Sequence, residues 1–356
     1  MIKICLIINN LNGGGSEKVF ALLSSELAKN PEFRISLILL TRGEIIYPLS
    51  ENVDLIQLEK SRILLSSIDL IRSLKTIQPH IVLSTLTYVN TLIGLLHFFL
   101  KKDYQLIARE STIPSINNNS RFKNLIQKLA YTRFDKIICQ SSAMALDLKT
   151  KFNIPEVKLT VINNPVEIPE LVKTKESEEI PRLLIVSMLR KEKGIQRILQ
   201  ALSRVEISFQ CIIYGDGPEL EILNQYVSQL KLDSKITFMG LCKDREKLNN
   251  AFSESSLTLF GSFYEGFPNV VLESLAVGTP VLAFPCQGGL EEILRSDVGV
   301  IASNKEDFTR LINEKIWTSF EPEKLREIVV KRFSTQNILS KYENLLKEQC
   351  VDLQEL

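Results

Sequence analysis

The most informative stretch of this chain is Gly261–Ile293, which reads GSFYEGFPNVVLESLAVGTPVLAFPCQGGLEEI. Within it, Pro268 suits the first position of a helix, where the missing N–H of proline is not needed. A short helix is predicted over Asn269–Val277, because Gly278 is a typical helix stop. A buried strand over Val281–Phe284 follows it. A helix that leads directly into a buried strand is typical of a parallel α/β sheet.

Two carboxylates flank the start of this predicted helix, Glu265 in the loop before it and Glu273 within it. Backbone N–H groups at a helix start attract anions, and the helix dipole adds to the attraction. Carboxylates also accept hydrogen bonds from sugar and ribose hydroxyls. The pattern therefore indicates a ligand with both phosphate and hydroxyl groups, such as a nucleotide sugar. For a single glutamate, a capping role worth roughly a few tenths of a kcal/mol is the alternative.

The segment EGFPN at 265–269, together with Glu273, resembles the E-x7-E signature of the family 4 retaining glycosyltransferases, which have the GT-B fold. The resemblance implies that Glu265 is a catalytic residue near the transferred sugar and that Glu273 binds the ribose. It also implies that the backbone between them contacts the sugar and the diphosphate. The donor-binding residues implied in this segment are Gly266, Phe267, Asn269, Val270 and Glu273.

Two domains are predicted from the length of 356 residues and from the alternation of strand and helix patterns. We place the first at 1–165 and the second at 166–333, with the charged run Lys173–Glu179 in the linker. The resemblance implies two Rossmann-like, doubly wound parallel-sheet domains facing a cleft. The first would bind the acceptor and the second the nucleotide-sugar donor, and the C-terminal helix, 334–356, would pack back on the first.

Strands predicted in the first domain are Ile2–Ile8, Ile35–Leu40, Ile81–Leu83, Leu106–Ala108 and Lys136–Cys139. Strands predicted in the second domain are Leu183–Ser187, Phe209–Tyr214, Lys235–Met239, Leu257–Phe260 and Val281–Phe284. In doubly wound sheets, ligands bind beyond the C-terminal ends of the strands. The loops after these strands are therefore the places to look for a site.

A glycine-rich loop, Gly13–Lys18 (GGGSEK), follows the first predicted strand. Glycines let the backbone approach a phosphate, and Ser16 is a suitable helix N-cap. Lys18 stands where a dinucleotide-binding fingerprint requires a third glycine, so binding of that kind is not indicated. The loop resembles the Gly-Gly-x-Glu motif of the family, which implies that Gly14 and Gly15 contact the donor diphosphate or the acceptor. A tight turn without a ligand is the alternative.

The segment Ser187–Gly194, SMLRKEKG, resembles the family's Gly-Arg-Leu-x-x-x-Lys-Gly motif, whose Arg and Lys neutralise the donor diphosphate. Lys193 matches the motif lysine and is implied to be catalytic, because the diphosphate is part of the leaving group. Met188 stands where the Arg is expected. Arg190 is the candidate replacement cation in the donor site, and a solvated charged loop is the alternative for it.

Further turns at predicted strand ends resemble segments of the family's donor site. The segment Gly215–Pro218 matches a G-x-G-P turn near the nucleotide, and Phe238–Gly240 matches the segment beside the base. The pair Gly288–Gly289 resembles a loop that lines the donor pocket. Each is an ordinary turn when taken singly. The donor-binding residues implied here are Gly215, Gly217, Gly240 and Leu241.

Glu110 is the candidate catalytic group of the first domain. Many relatives have a histidine near the reacting carbon, and the corresponding stretch here, Ile107–Ser111, offers Glu110 or Arg109 instead. A surface salt bridge is the alternative. The two histidines, His80 and His97, are isolated and no Asp-x-Asp pair occurs, so we expect neither a metal nor another cofactor.

Charge is unevenly distributed along the chain. Residues 1–165 carry 20 Lys and Arg against 13 Asp and Glu, although the whole chain has a net charge of +1. A basic first domain favours anions or an anionic membrane surface, and the predicted helix Arg121–Arg133 is basic and amphipathic enough for peripheral membrane contact. A helix packed on its sheet is the alternative. Aromatic residues make up only 7% and do not alternate with basic patches, which argues against nucleic-acid binding.

A cytoplasmic location, at the inner face of the cell membrane, is expected from three features. The longest apolar stretch, Thr91–Leu100, is far shorter than the roughly 20 residues of a membrane-spanning helix. The strand-like Ile4–Ile8 begins next to the N-terminus, so we expect no signal peptide. The six cysteines are scattered, which favours reduced, buried thiols.

The family resemblance implies a metal-independent, retaining hexosyltransferase. Its EGFPN form resembles relatives with N-acetylhexosamine donors, so a UDP-linked N-acetylhexosamine or hexose is the expected donor. The expected acceptor is a glycan or a polyprenyl-diphosphate-linked saccharide, as in bacterial surface polysaccharide synthesis. Two alternatives stay open. One is a non-catalytic glycosyltransferase-like subunit that binds sugar nucleotide, indicated by Met188. The other is a GT-B sugar-nucleotide epimerase.

Overall fold

A computed structural model describes residues 1–97, 104–116, 121–170, 179–294 and 297–354. Most of the charged run Lys173–Glu179 lies outside the described residues, as do the last three residues of the apolar stretch Thr91–Leu100. The last two residues of the predicted C-terminal helix also lie outside them.

The chain divides into two compact units, which we call the first and the second domain. The first consists of Met1–Pro165 and Gln336–Leu356, and the second of Val166–Thr335. The sequence predicts boundaries after Pro165 and after residue 333, and the structure divides the chain after Pro165 and after Thr335.

The strands and helices before the domain boundary are β1 (Ile2–Ile8), α1 (Gly15–Leu27), β2 (Phe33–Thr41), β3 (Val53–Lys60), α2 (Ser67–Ile77), β4 (Ile81–Thr85), α3 (Thr87–Leu96), β5 (Gln105–Arg109), α4 (Arg121–Tyr131), β6 (Lys136–Cys139), α5 (Ser142–Phe152) and β7 (Leu159–Val161).

Those after the boundary are β8 (Arg182–Val186), α6 (Ile195–Leu202), β9 (Gln210–Tyr214), α7 (Leu220–Gln229), β10 (Ile236–Gly240), α8 (Arg245–Ser253), β11 (Leu257–Phe260), β12 (Tyr264–Glu265), α9 (Asn269–Ala276), β13 (Val281–Ala283), β14 (Gln287–Gly288), α10 (Leu290–Ile293), β15 (Gly299–Ile301), α11 (Lys305–Asn313), α12 (Pro322–Phe333) and α13 (Thr335–Gln354).

The first domain contains a parallel sheet whose described strands lie in the order β3-β2-β1-β4-β5-β6-β7. A parallel sheet covered by helices buries both faces of its strands, so central strands are unbroken apolar runs. In β1 the residues from Ile4 to Ile8 are fully buried. The C-terminal helix α13 belongs to the same core, to which it contributes Ile338, Tyr342, Leu345 and Leu346.

The second domain contains a parallel sheet with the described strands in the order β10-β9-β8-β11-β13-β15. The short strands β12 and β14 form a separate parallel pair. In both domains the first strand lies at the point where the strand order reverses, as in doubly wound folds. The predicted pair of Rossmann-like parallel sheets is therefore confirmed, and the cleft between the domains stays a prediction.

The strands that sequence reasoning missed lie mainly at sheet edges. β3 and β7 are the outer strands of the first sheet, and β15 is an outer strand of the second. An edge strand has a neighbour on one side only, and β3 is largely exposed beyond Val53 instead of forming an apolar run. β7 and β15 have only three residues each. Such strands carry too little apolar pattern to be recognised.

No helix in the described part of the chain is long and apolar enough to cross a membrane. All six cysteines fall within the described ranges, and all are free thiols. Burial raises the pKa of Cys5 and of Cys211 well above the usual range of a thiol. A raised pKa keeps a thiol protonated, so these two cysteines are expected to be unreactive.

Candidate functional site

The predicted donor-binding residues of the second domain lie at one edge of its sheet. The loops after β8, β9, β10 and β11 begin at Ser187, Gly215, Leu241 and Gly261. Because these strands are parallel, their C-terminal ends meet at the same edge. That is the edge where ligands bind in doubly wound sheets.

The turn after β9 packs directly on the loop after β8. A Cβ atom on Gly215 would lie 1.8 Å from the carbonyl oxygen of Ser187, and one on Gly217 would lie 2.5 Å from that of Leu189. Both glycines also have positive φ angles, +146° and +157°. The N–H of Leu189 donates to the carbonyl of Asp216 at 2.9 Å. The two glycines are therefore needed for close backbone packing, which fixes the start of the loop after β8.

Lys193 and Glu265, the two catalytic candidates of this domain, are in contact. The Nζ atom of Lys193 lies 2.5 Å from Oε1 of Glu265, and the two side chains are 23% and 20% exposed. The hydroxyl of Ser262 donates to the same carboxylate oxygen at 2.9 Å. A cation and a carboxylate thus meet at the sheet edge while both still reach solvent.

Backbone hydrogen bonds fix the loop that carries Glu265. The N–H of Phe263 donates to the carbonyl of Glu192 at 2.9 Å, and the carbonyl of Phe263 accepts from the N–H of Gln287 at 2.9 Å. Glu265 itself lies in β12, which pairs with β14. The loop after β11 is therefore joined both to the Lys193 loop and to the segment before α10.

Glu273 lies in α9 and forms an ion pair with Arg245, the first residue of α8. Their N–O distance is 3.1 Å, and the Glu273 side chain is 13% exposed. Arg245 also lies 3.5 Å from a carboxylate oxygen of Glu167. A carboxylate fixed by a guanidinium presents its oxygens in a defined orientation, which suits the binding of ribose hydroxyls.

The helix α9 begins at Asn269, so Pro268 is its N-cap residue and not its first helical residue as predicted. The reason is its extended ψ angle of 104°. Phe267 is 4% exposed, and its ring packs on that of Phe333 with the centroids 5.6 Å apart. Asn269 and Val270 are partly exposed. At this helix start a ligand can therefore meet backbone and small polar groups, but not the Phe267 ring.

The end of β10 combines an open glycine with an exposed apolar side chain. Gly240 has a φ of +71°, and no atom lies within 4 Å of the position a Cβ would take. Leu241 is 58% exposed. The space at Gly240 is therefore open and the Leu241 side chain beside it is accessible, and contact of these residues with a nucleobase stays a prediction. Gly266, between Glu265 and Phe267, is by contrast buried.

The side chains of Met188 and Arg190 are both exposed to solvent. Met188 is 44% exposed. The guanidinium of Arg190 lies 4.0 Å from the carboxylate of Glu192, and its side chain is 56% exposed. This is the arrangement of a solvated charged loop, so the role of Arg190 as a replacement cation stays a prediction.

In the first domain, Gly14 is the N-cap residue of α1 and Gly15 is its first residue. The expected N-cap role of Ser16 is wrong, because the helix begins before it. A Cβ on Gly14 would lie 2.0 Å from a carboxylate oxygen of Glu17, and the Tyr47 hydroxyl donates to the Gly14 carbonyl at 3.2 Å. Burial raises the pKa of Glu17. A carboxylate at this helix start disfavours a second anion there and favours ligand hydroxyls.

Glu110 is fully buried and accepts hydrogen bonds from Thr87 at 2.8 Å and from Asn90 at 2.9 Å. Burial raises its pKa to about 7, although these hydrogen bonds lower it. Arg109 is fully buried as well, so the surface salt bridge considered for this pair is wrong. The acceptors of Arg109 are Thr85, Asn164 and Tyr342. A catalytic role of Glu110 stays a prediction and requires its surroundings to move.

The Nδ1 atom of His80 accepts a hydrogen bond from the N–H of Lys3 at 3.1 Å, which is a contact within the fold of the first domain. Among the residues that the structure describes, no three His, Cys, Asp or Glu side chains are grouped as ligands of a metal ion.

Two family models match this chain, one over each half. The model described as Glycosyltransferase Family 4 matches residues 13–169, and the model described as Glycosyl transferases group 1 matches residues 168–332. The chain belongs to glycosyltransferase family 4.

This glycosyltransferase is similar to curated and solved proteins over nearly its whole length. The Campylobacter jejuni enzyme N-acetylgalactosamine-N,N'-diacetylbacillosaminyl-diphospho-undecaprenol 4-alpha-N-acetylgalactosaminyltransferase is 26% identical, over 94% of this chain and 95% of that protein. Sucrose-phosphate synthase from Thermosynechococcus elongatus superposes with a TM-score of 0.84 at 16% identity, over 98% of this chain and 99% of the other. Anabaena HepE in complex with UDP-glucose superposes with a TM-score of 0.81 at 18% identity, over 98% of this chain and 100% of the other. These likenesses confirm the GT-B fold.

Sequence reasoning missed three residues that contact the predicted site residues or the loop that carries Glu265. Ser262 precedes Glu265 by three residues, and this short spacing was a usable signal. Arg245, which contacts Glu273, lies in α8. Arg197, which contacts the loop that carries Glu265, lies in α6. No local pattern connects them to the loop, because their contacts exist only once the sheet has formed.

Proposed function

We propose that this glycosyltransferase is a retaining, metal-independent enzyme that transfers a sugar from a UDP-sugar to a glycan or a polyprenyl-diphosphate-linked saccharide. The observation that carries the proposal is the contact between Lys193 and Glu265, four residues before the start of α9. A cation, a carboxylate and the positive end of a helix dipole are thus available at one sheet edge, which suits a ligand with both phosphate and hydroxyl groups.

In the proposed reaction, Lys193 stabilises the departing diphosphate. A lysine ammonium on its flexible stem can turn from Glu265 to the diphosphate oxygens, and charge stabilisation at a leaving group is often the largest single contribution to catalysis. Glu265 then accepts hydrogen bonds from the sugar, and Glu273 from the ribose. The acceptor hydroxyl attacks the anomeric carbon from the face that UDP leaves, and its proton passes to the donor phosphate, as the family resemblance implies.

UDP as the nucleotide is supported by the HepE complex with UDP-glucose, which shares this fold. The name of the Campylobacter jejuni relative states an N-acetylgalactosamine transfer to a saccharide on undecaprenyl diphosphate. An N-acetylhexosamine or hexose donor and a lipid-linked acceptor at the inner face of the cell membrane are therefore the leading candidates. Synthesis of a bacterial surface polysaccharide is the process that fits both.

A peripheral membrane contact through α4 belongs to this proposal. Phe122, Leu125 and Leu129 lie along one side of α4 and are 71%, 64% and 48% exposed. Lys123 and Lys128 lie on the same helix, so an apolar stripe is combined with positive charge, as in helices that lie on anionic membranes. Sedimentation with anionic and with neutral vesicles tests this contact, and binding that Phe122→Ser together with Leu125→Ser leaves unchanged would contradict it.

The proposed activity is tested by UDP release from UDP-N-acetylgalactosamine, UDP-N-acetylglucosamine, UDP-glucose and UDP-galactose, with and without membrane extract. We expect release that depends on the extract and on one donor, persists in EDTA, and gives an α-linked product by NMR. An inverted product would rule out a retaining enzyme. UDP binding without release would identify a non-catalytic subunit, the alternative favoured by the exposed Met188. Conversion of the sugar without release would identify an epimerase.

A further inference from the structure

The guanidinium of Arg197, in α6, binds the backbone of two loops at the C-terminal edge of the second sheet. Its Nε atom donates to the carbonyl of Gly261 at 2.8 Å, and one Nη atom donates to the carbonyls of Ser262 at 2.6 Å and Pro285 at 3.2 Å. Gly261 and Ser262 follow β11, and Pro285 follows β13 shortly after its end. Arg197 therefore joins the loops of two neighbouring strands.

Two aromatic rings hold the same guanidinium in place. Its central carbon lies 4.2 Å from the ring centroid of Phe263 and 4.7 Å from that of Phe284. Phe284 in turn is stacked on Phe308, with the ring centroids 4.3 Å apart. Among the described residues no carboxylate lies within 4.0 Å of Arg197, so carbonyl oxygens and ring faces balance its charge. An arginine in such surroundings is a fixed backbone clamp and not a surface ion pair.

The clamped loop leads directly to the carboxylate of Glu265. Ser262, whose carbonyl is held by Arg197, donates its hydroxyl to Glu265 at 2.9 Å. Gly261 lies against the backbone of Gly194, the neighbour of Lys193: a Cβ on Gly194 would be 2.0 Å from the Gly261 carbonyl oxygen. The position of this loop therefore sets the distance between Glu265 and Lys193.

We propose that Arg197 is a positioning residue of the transfer reaction, which fixes the loop from Gly261 to Glu265 so that the Glu265 carboxylate meets Lys193. The proposal rests on the proposed function. Only arginine fits the position, because its planar fork donates to several acceptors at once. A lysine donates from a single atom and cannot reproduce the three bonds in the same geometry.

The first test compares Arg197→Met, Arg197→Lys and the control Arg204→Met for UDP release and product formation. Arg204 lies just after α6 and forms an exposed ion pair with Glu306. Arg197→Met is expected to lower kcat by about 10- to 100-fold while the donor KM changes by less than about threefold, since small misplacements of reacting groups carry losses of this size. Arg197→Lys is expected to lower kcat nearly as much, and Arg204→Met is expected to leave kcat unchanged. A further variant, Arg197→Ala, leaves space for a free guanidinium ion, and added guanidinium is expected to restore part of its activity.

The second test needs no activity. Hydrogen exchange of the Phe263 and Gln287 N–H groups, which donate within the clamped loops, is expected to be faster in Arg197→Met than in wild type and in Arg204→Met. Absence of UDP release by wild type would defeat the proposed function, and exchange would still decide whether Arg197 fixes the loop. Exchange and kcat equal to those of wild type would overturn the proposal. So would a loss of stability with an unchanged kcat for the folded fraction.

Discussion

The ammonium of Lys193 lies 2.5 Å from a carboxylate oxygen of Glu265, at a place where the two side chains are only 23% and 20% exposed. Opposite charges attract each other more strongly at a partly dehydrated site than in open water. A diphosphate that binds Lys193 therefore has to compete with Glu265 for the same ammonium group. The two residues are expected to act as a unit.

Lys193→Met and Glu265→Gln are expected to shift the affinity for UDP in opposite directions. Without the ammonium, the diphosphate loses its cation and UDP binds more weakly. Without the carboxylate charge, the ammonium is released to the diphosphate, and UDP binds more tightly by about three- to tenfold, a coupling typical of neighbouring charges. Calorimetric titration with UDP measures both effects. Weaker binding in both variants would show that the pair does not compete for the ligand.

Turnover is expected to fall in both variants and little further in the double variant. Each single substitution is expected to lower kcat about 100-fold or more, and Glu265→Ala to abolish transfer, because catalytic groups that act together are not additive. UDP release at saturating donor is compared among wild type, Lys193→Met, Glu265→Gln and the double variant. Losses that multiply in the double variant would show that Lys193 and Glu265 contribute independently.

Glu273→Ala is expected to weaken donor binding more than it slows transfer, because ribose hydroxyls lie away from the reacting carbon. Arg245→Met is expected to have a smaller effect of the same kind, a donor KM raised about threefold, since it frees Glu273 from its ion pair without removing the acceptor oxygens. Steady-state kinetics with varied donor separates KM from kcat. Arg310→Met, which removes an exposed guanidinium of α11, is the control. A pure kcat defect in Arg245→Met would contradict this role.

The fold could be predicted from sequence because the apolar runs of the inner strands, such as Ile4–Ile8, reflect burial on both faces of a parallel sheet. Glu265, Lys193 and Glu273 could be proposed because they belong to local motifs with fixed spacing. The residues that contact them could not be predicted from the sequence, with the exception of Ser262. Arg245 lies 28 residues from Glu273, and only the packing of α8 beside α9 brings them together. Contacts of this kind have no local sequence signal.

Gly215→Ala is expected to destabilise the second domain far more than Gly240→Ala. A Cβ on Gly215 would lie 1.8 Å from a backbone oxygen, so the loop after β8 has to move, which we expect to cost roughly 3 kcal/mol or more. At Gly240 no atom lies within 4 Å, and only the positive φ of +71° opposes alanine, at about 1 kcal/mol. Urea unfolding of the two variants measures the difference. Equal losses would mean that the close approach at Gly215 is relieved without strain.

Glu110→Gln is expected to stabilise the first domain at high pH and not at low pH. Burial raises the pKa of Glu110 from 4.5 to about 7, so the folded state holds this proton more tightly than the unfolded state. The stability contributed by the protonated carboxyl is intact below about pH 4.5 and is lost as the pH rises through 7. At pH 7 and above, this loss of folding free energy is on the order of 3 kcal/mol. Glutamine stays neutral throughout and accepts the Thr87 or Asn90 hydrogen bond in its place.

Urea midpoints of the first domain at pH 5 and pH 8 measure this effect, with Glu51→Gln at an exposed carboxylate of the same domain as the matched control. The difference between Glu110→Gln and wild type is expected to grow with pH, and at pH 8 it is expected to exceed the difference between Glu51→Gln and wild type. The comparison with wild type matters, because every other titrating group cancels in the difference. A Glu110→Gln difference that is the same at both pH values would mean that Glu110 meets water or a cation in solution and is not held in a dry pocket.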